Sequence, residues 1–210
     1  MPAESYQAAI TNETDLRALY DAPLERVVKK QLSHLDEYCR RLIALSPLMC
    51  LATTDASGHV DVSPRGDPPG FVKVLDDRTV LIPDRKGNRR IDTMSNILAN
   101  PAVGVLFLLP GVQETLRING RASLVDDPAV LAGCEVNGQA PKLGIRIDID
   151  DVFFHCAKAL IRSKLWEKEA QIARNEFPTY GQIIRDQREP EKSADDIDAG
   201  LTRDYKENLY

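Results

Sequence analysis

Leu48-Met49-Cys50-Leu51-Ala52-Thr53-Thr54, then Asp55-Ala56-Ser57-Gly58, then His59-Val60-Asp61-Val62-Ser63 reads as strand, turn and strand. The first run is short and apolar, the length of a buried strand rather than a helix. The turn closes on a glycine, which adopts positive φ without steric cost. In the second run apolar and polar residues alternate, so Val60 and Val62 share one face and Asp61 and Ser63 the other. A β-hairpin therefore sets the class of the fold.

Outward from this hairpin the pattern stays β. Gly66-Asp67-Pro68-Pro69-Gly70 is a loop by composition, and residues 71–75 and 79–83 flank the turn Asp76-Asp77-Arg78 as a second hairpin. The polar loop Asp84-Arg85-Lys86-Gly87-Asn88 opens a helix predicted over residues 89–98, whose buried stripe is Met94, Ile97 and Leu98 and which Asn100-Pro101 stops. Further strands are expected at residues 102–109, 115–125 and 143–155, the last with a break at Asp150-Asp151. Upstream, Leu24, Val27, Val28, Leu32 and Leu35 recur at helical spacing behind Pro23, and Leu35, Tyr38, Cys39, Leu42 and Ile43 form a second stripe. A late helix is expected over residues 157–169, with Arg162 and Trp166 on one face. From Arg185 onward the chain is rich in charge and reads as a mobile or draped tail. The sum is an α+β or mainly β chain, a small antiparallel barrel with peripheral helices.

Composition narrows the function. The 210 residues are 43% apolar and 28% charged, ordinary for one folded domain with a real core. The longest apolar run, residues 103–109, is far short of a membrane span, and residues 1–6 lack the features of an export signal, so a cytoplasmic protein is expected. A net charge of −5 argues against a general nucleic-acid binder. Cys39, Cys50, Cys134 and Cys156 are scattered, without C-x-x-C spacing, and read as reduced, mostly buried thiols. His155 and Cys156 would point to opposite faces of a strand, which excludes a shared zinc ion.

Two constellations stand out. Arg85, Lys86, Arg89 and Arg90 place four cations within six residues at a helix start. Unpaired helix N–H groups and forked guanidinium donors suit a phosphate, while a solvated charge run is the other reading. Ser63 and Arg65 fall two apart on one strand face, where they either hold a polar ligand or, for Arg65, pair with Asp67. His34, His59 and His155 are read as structural or solvated.

The runs Asp61-Val62-Ser63-Pro64-Arg65-Gly66-Asp67-Pro68-Pro69-Gly70-Phe71, Leu81-Ile82-Pro83-Asp84-Arg85-Lys86-Gly87-Asn88-Arg89-Arg90 and Ile97-Leu98-Ala99-Asn100-Pro101 resemble a known family. So do Glu114-Thr115-Leu116-Arg117-Ile118-Asn119-Gly120-Arg121-Ala122 and Arg162-Ser163-Lys164-Leu165-Trp166. The family is that of the pyridoxamine 5'-phosphate oxidase-like, FMN-binding split-barrel proteins. The resemblance implies a six-stranded antiparallel split β-barrel over residues 47–170, covered by a helical segment at 1–46 and by a C-terminal helix and acidic tail at 171–210. It also implies a homodimer with FMN at the subunit interface, acting on a small-molecule substrate or electron donor, with no nucleic acid and no membrane. By position, Ser63 and Arg65 would face the FMN phosphate and ribityl chain, and Ile82, Pro83 and Asp84 would border the flavin ring. Asn88, Arg89 and Arg90 would clasp the phosphate, and Thr115 and Trp166 would reach the cofactor from the partner subunit. The substrate-gripping Arg-Leu-His segment that follows the late Trp in the vitamin B6 enzymes is missing here. An FMN-dependent oxidoreductase of unnamed substrate is therefore implied. A flavin storage or sensing protein, or a haem- or deazaflavin-binding relative, is the other class left open.

Overall fold

The computed structural model describes residues 10–210; the opening stretch at residues 1–6, from which the lack of an export signal is read, lies outside them. Seven strands form: β1 Leu48–Thr54, β2 Val60–Gly66, β3 Lys73–Val74, β4 Thr79–Pro83, β5 Ala102–Leu108, β6 Thr115–Val125 and β7 Gly144–His155. All pairings are antiparallel, in the order β2-β1-β5-β6-β7-β4-β3. The resemblance implies six strands. The residue pattern gives a further strand at residues 71–75, and β3 is what forms of it: Lys73 and Val74 pair with Leu81 and Val80 as a two-residue edge. β2 and β3 are unpaired on their outer sides, so the sheet is not closed.

Alternation along each strand builds the core. Met49 and Leu51 on β1, Val105 and Phe107 on β5, Leu116 and Ile118 on β6, and Ile145 and Ile147 on β7 all turn to one side. They meet Val80 and Ile82 of β4 in a single cluster, although three strands separate β1 from β4. The sheet must therefore curl round this core. Each such aliphatic or aromatic side chain contributes about 1.5–3 kcal/mol by leaving water. Leu81 points the other way, against Leu131 and Cys134 in a small second cluster, so β4 is buried on both faces.

The expected break near Asp150 is a bulge in a continuous β7. Asn119 lies opposite Asp151 and Gly120 opposite Ile149, so Asp150 is the additional residue. Gly120 has no room for a side chain there: a Cβ would press on the Asp148 carbonyl oxygen and on Ile147 Cγ2.

The helices depart more from expectation. They are α1 Glu13–Arg17, α2 Glu25–Val28, α3 Glu37–Leu45, α4 Asp92–Ala99, α5 Pro128–Leu131, α6 Lys158–Ser163, α7 Tyr180–Gln187 and α8 Ala194–Glu207. Of the expected stripe, Cys39, Leu42 and Ile43 in α3 are buried behind the Asp36 cap and Leu35 is buried just before it, whereas Tyr38 is exposed. Leu24, Val27 and Val28 are exposed instead, because α2 is a single turn, and Leu32 joins β7 through a bridge to Val152. Of the cysteines, Cys39 and Cys134 are buried, Cys50 is half-buried and Cys156 is exposed. The late helix ends at Ser163 because Lys164 turns left-handed, so Arg162 and Trp166 share no helical face. From Arg185 onward the chain is structured: α8 lies against α7, with the Gly181 N–H donating to Asp198 Oδ1 at 2.7 Å.

Gly120→Ala should destabilise the fold by about 3 kcal/mol, since the clash is with backbone that carries the bulge. Gly133→Ala, where a Cβ meets nothing within 4 Å, should change stability by less than about 0.5 kcal/mol. Urea unfolding of the two variants side by side reads the difference, and equal stabilities would refute this account of the bulge.

Candidate functional site

β2 is an edge strand whose polar side, not its apolar side, faces inward. Val60 and Val62 are exposed, whereas Asp61, Ser63 and Arg65 are half-buried. Pro64 suits this edge because its missing N–H removes nothing the ladder needs. Ser63 and Arg65 thus share the inward face, as the spacing predicts, and α4 lies across it. Asn96 ties α4 to β1 by donating to Thr53 Oγ1 at 3.0 Å. Arg65 Nη2 donates to Thr93 Oγ1 at 2.9 Å, and Ser63 Oγ stands 3.4 Å from the same hydroxyl.

Arg65 does not pair with Asp67, the alternative its sequence position suggests. Its Nη1 lies 3.4 Å from Asp84 Oδ1, and its buried Nε has no partner. Asp67, with only 1% of its side chain exposed, takes Arg85 Nε at 2.6 Å. Arg85 Nη1 also donates to the Cys134 carbonyl at 2.9 Å, so the small cluster behind β4 anchors this arginine. Burial pushes the Asp84 carboxyl above its ordinary range, against the opposing pull of Arg65.

The loop after β4 places the remaining cations. Asn88 Oδ1 accepts the Arg90 N–H at 3.0 Å, and Arg90 Nε pairs with Asp92 at 2.7 Å. Arg89 and Ile91 both have left-handed backbones, with φ of 62° and 55°. For a β-branched residue such as Ile91 this is strained, and it delays the helix to Asp92. The cations therefore precede the helix rather than open it, and an acidic residue takes the first turn, where the dipole favours it.

Two grooves flank this loop, of about 540 and 450 Å³, both within the range of small-ligand sites. The first is walled by Arg65, Asp84, Arg85, Lys86, Arg89 and Lys142, with Met94, Pro141 and Tyr210 among its other residues. The second takes in Ser63, Pro83, Asn88 and Thr93, and the two share Arg65, Arg85, Lys86, Gly87 and Asn88. Among the described residues, Lys86, Arg89 and Lys142 have no carboxylate partner. In a chain of net charge −5, the first groove is thus locally cationic.

Of the ten residues singled out by sequence, Ser63, Arg65, Pro83, Asp84, Asn88 and Arg89 come together here. Ile82 is 1% exposed and faces the core, so its side chain borders neither groove. Arg90 is turned to Asp92 and solvent. Thr115 lies at the start of β6, opposite His155, and Trp166 donates its indole N–H to the Val112 carbonyl at 2.8 Å; neither lines a groove of its own chain. Thr93, the Asp67–Arg85 pair and Tyr210 are additions that only folding reveals. Thr93 carried no signal beyond its place near a helix start.

No curated protein matches the sequence closely enough to count as a relative. Among solved structures, HupZ of Group A Streptococcus is 20% identical over 57% of this chain and 93% of its own, with a TM-score of 0.48. A provisionally assigned pyridoxamine 5'-phosphate oxidase of Lactobacillus delbrueckii is 24% identical, covering 59% and 98%, with a TM-score of 0.47. The FAD binding protein of Mycobacterium smegmatis is 20% identical, covering 59% and 97%, with a TM-score of 0.41. The sequence model of the pyridoxamine 5'-phosphate oxidase family matches residues 35–156. That span is more than half the chain, runs from the residues before α3 to the end of β7 and takes in every groove residue named above except Tyr210, and it places the protein in the pyridoxamine 5'-phosphate oxidase family.

Proposed function

We propose that the protein is an FMN-binding flavoprotein that acts as an FMN-dependent oxidoreductase on a small molecule. The observation that carries this reading is the set of cations without carboxylates, Lys86, Arg89 and Lys142, beside the orphaned Nε of Arg65. A phosphate monoester brings close to two negative charges and three acceptor oxygens, which is what such a set lacks. Lys86, Asn88 and Arg89 would hold the phosphate where the grooves meet. Ser63, Arg65 and Thr93 would bind the adjoining polyol, and Pro83 and Asp84 would border the ring. FMN, when bound, supplies redox chemistry that no side chain offers, while the protein orients the substrate and sets the field around the ring. In this chain that field includes Asp84, whose carboxyl is held against Arg65 and can take or release a proton at a higher pH than an exposed aspartate.

The dimer belongs to the same proposal. Val60 and Val62 lie on the outward face of the sheet, opposite the core, where β1 presents Thr54 and Ala52 opposite them, with half-buried Cys50 of β1 and Leu106 of β5 further along the same face. An apolar sheet face of this kind suits an isologous contact with a second copy. Thr115 and Trp166, which serve no groove of their own chain, are then available to the cofactor of the partner. The cofactor would lie at the subunit interface.

Purified protein should be yellow, with flavin absorbance, and NAD(P)H or another donor should bleach it with turnover. A colourless preparation that takes up no added FMN would refute the reading. Arg89→Ala should weaken FMN binding about tenfold, the low end for a charge-assisted contact because the side chain is exposed, and leave riboflavin unaffected.

Asp84→Asn keeps an oxygen for Arg65 but removes a negative charge from the groove wall. FMN should bind about fivefold tighter at neutral pH. In the parent protein, protonation of Asp84 removes the same charge, so binding should tighten as pH falls through a range lying above the ordinary 3.8. Titration of affinity against pH should show that component in the parent and not in the variant.

Val62 is 60% exposed in the single chain, so Val62→Asp should leave folding intact. Light scattering should nonetheless fall from the mass of two chains to that of one, with circular dichroism retained. A variant that stays dimeric would place the interface elsewhere.

A further inference from the structure

The α7–α8 pair is tied to the sheet in an unexpected way. Among the described residues, only two polar contacts link residues 179–210 to the rest of the chain, and both are made at the first groove. Lys86 Nζ donates to Asn208 Oδ1, and the Tyr210 hydroxyl donates to Asp67 Oδ1 at 2.8 Å. Asp67 is the buried carboxylate that already holds Arg85, so Tyr210 completes a chain of bonds running from its phenol through Asp67 and Arg85 to the Cys134 carbonyl. Tyr210 itself is half-buried and forms part of the groove wall. The bond to Asp67 also pushes the phenol above its ordinary range, so the hydroxyl keeps its proton and remains a donor.

We infer that residues 208–210 are a latch that closes the first groove over its ligand, with Tyr210 as a positioning residue and Asp67 as its catch. The inference rests on the reading that this groove takes the flavin phosphate. Asn208 offers Lys86 a neutral oxygen, so this cation meets no carboxylate that would compete with an incoming anion. The phenol donates its one proton to Asp67 and therefore presents the groove with an aromatic surface and an acceptor. A single hydrogen bond to a buried carboxylate is strong enough to hold a wall yet weak enough to open, because it is the only catch besides the Lys86 contact. Ligand enclosed behind the latch leaves only when the latch opens, so the latch acts mainly on release.

The test compares the full-length parent with Tyr210→Phe, which keeps the ring and loses the catch, and Tyr210→Ala, which loses both. FMN should leave Tyr210→Phe about tenfold faster than the parent and leave Tyr210→Ala faster still, read by stopped-flow recovery of flavin fluorescence. Hydrogen exchange without ligand should show residues 84–91 and 204–210 losing protection together in both variants. Unchanged or slower release from both variants would overturn the latch, as would exchange that is the same in all three proteins. If the parent binds no FMN, the flavin reading falls by itself and the exchange result alone decides the latch: joint loss of protection supports it, and no loss refutes it.

Discussion

Arg65 carries a full charge to a place where 21% of its side chain meets solvent, and the cleft is arranged around that demand. A guanidinium has five N–H donors, and leaving them unpaired in a half-buried setting is costly. β2 supplies the arginine, α4 supplies the Thr93 hydroxyl and the end of β4 supplies Asp84. Three elements far apart in sequence are thereby held to one another at the rim of the core. The demand is incompletely met, since Nε still lacks a partner. An unmet donor beside spare cations is what a phosphorylated ligand would complete.

The Arg85–Asp67 pair does a different job. Taking two charges out of water costs free energy that their attraction does not always recover, so such pairs are weak evidence for stability. Here the pair links three parts of the molecule, because Arg85 reaches the Cys134 carbonyl and Asp67 reaches Tyr210. It also withdraws one cation from the groove. Arg85 looks in the sequence like one of four equivalent cations, whereas in the fold it is committed to a carboxylate, as Arg90 is to Asp92. Lys86 and Arg89 are left without a carboxylate in the groove, joined by Lys142 from the segment before β7.

Backbone strain marks the same place. Arg89 and Ile91 adopt the left-handed region within three residues, and the helix start is displaced past them. Non-glycine residues in that conformation persist where surrounding contacts over-determine them. The Asn88 turn on one side and the buried Thr93 and Met94 on the other are those contacts. These contacts hold the left-handed turn beside the groove.

The strands were legible in the sequence because their signal is local: alternation places every second residue of β1, β5, β6 and β7 in the core, and the Asp150 irregularity appeared as the expected break. Likewise the inward face shared by Ser63 and Arg65 followed from a two-residue period. What local pattern could not show was any event that depends on a distant partner or on an unusual φ. One helix starts later, at Asp92, and another ends earlier, at Ser163, than local pattern predicts, because Ile91 and Lys164 turn left-handed, which nothing in either residue's chemistry announces. Trp166 left its expected face for the same reason. Tyr210 meets Asp67 across 143 residues of chain, a separation at which periodicity carries no information. The sequence by itself therefore determined the antiparallel sheet, its core and a cation-rich loop. Only the tertiary structure decided which cations are neutralised, because charge pairing depends on distance in space and not along the chain.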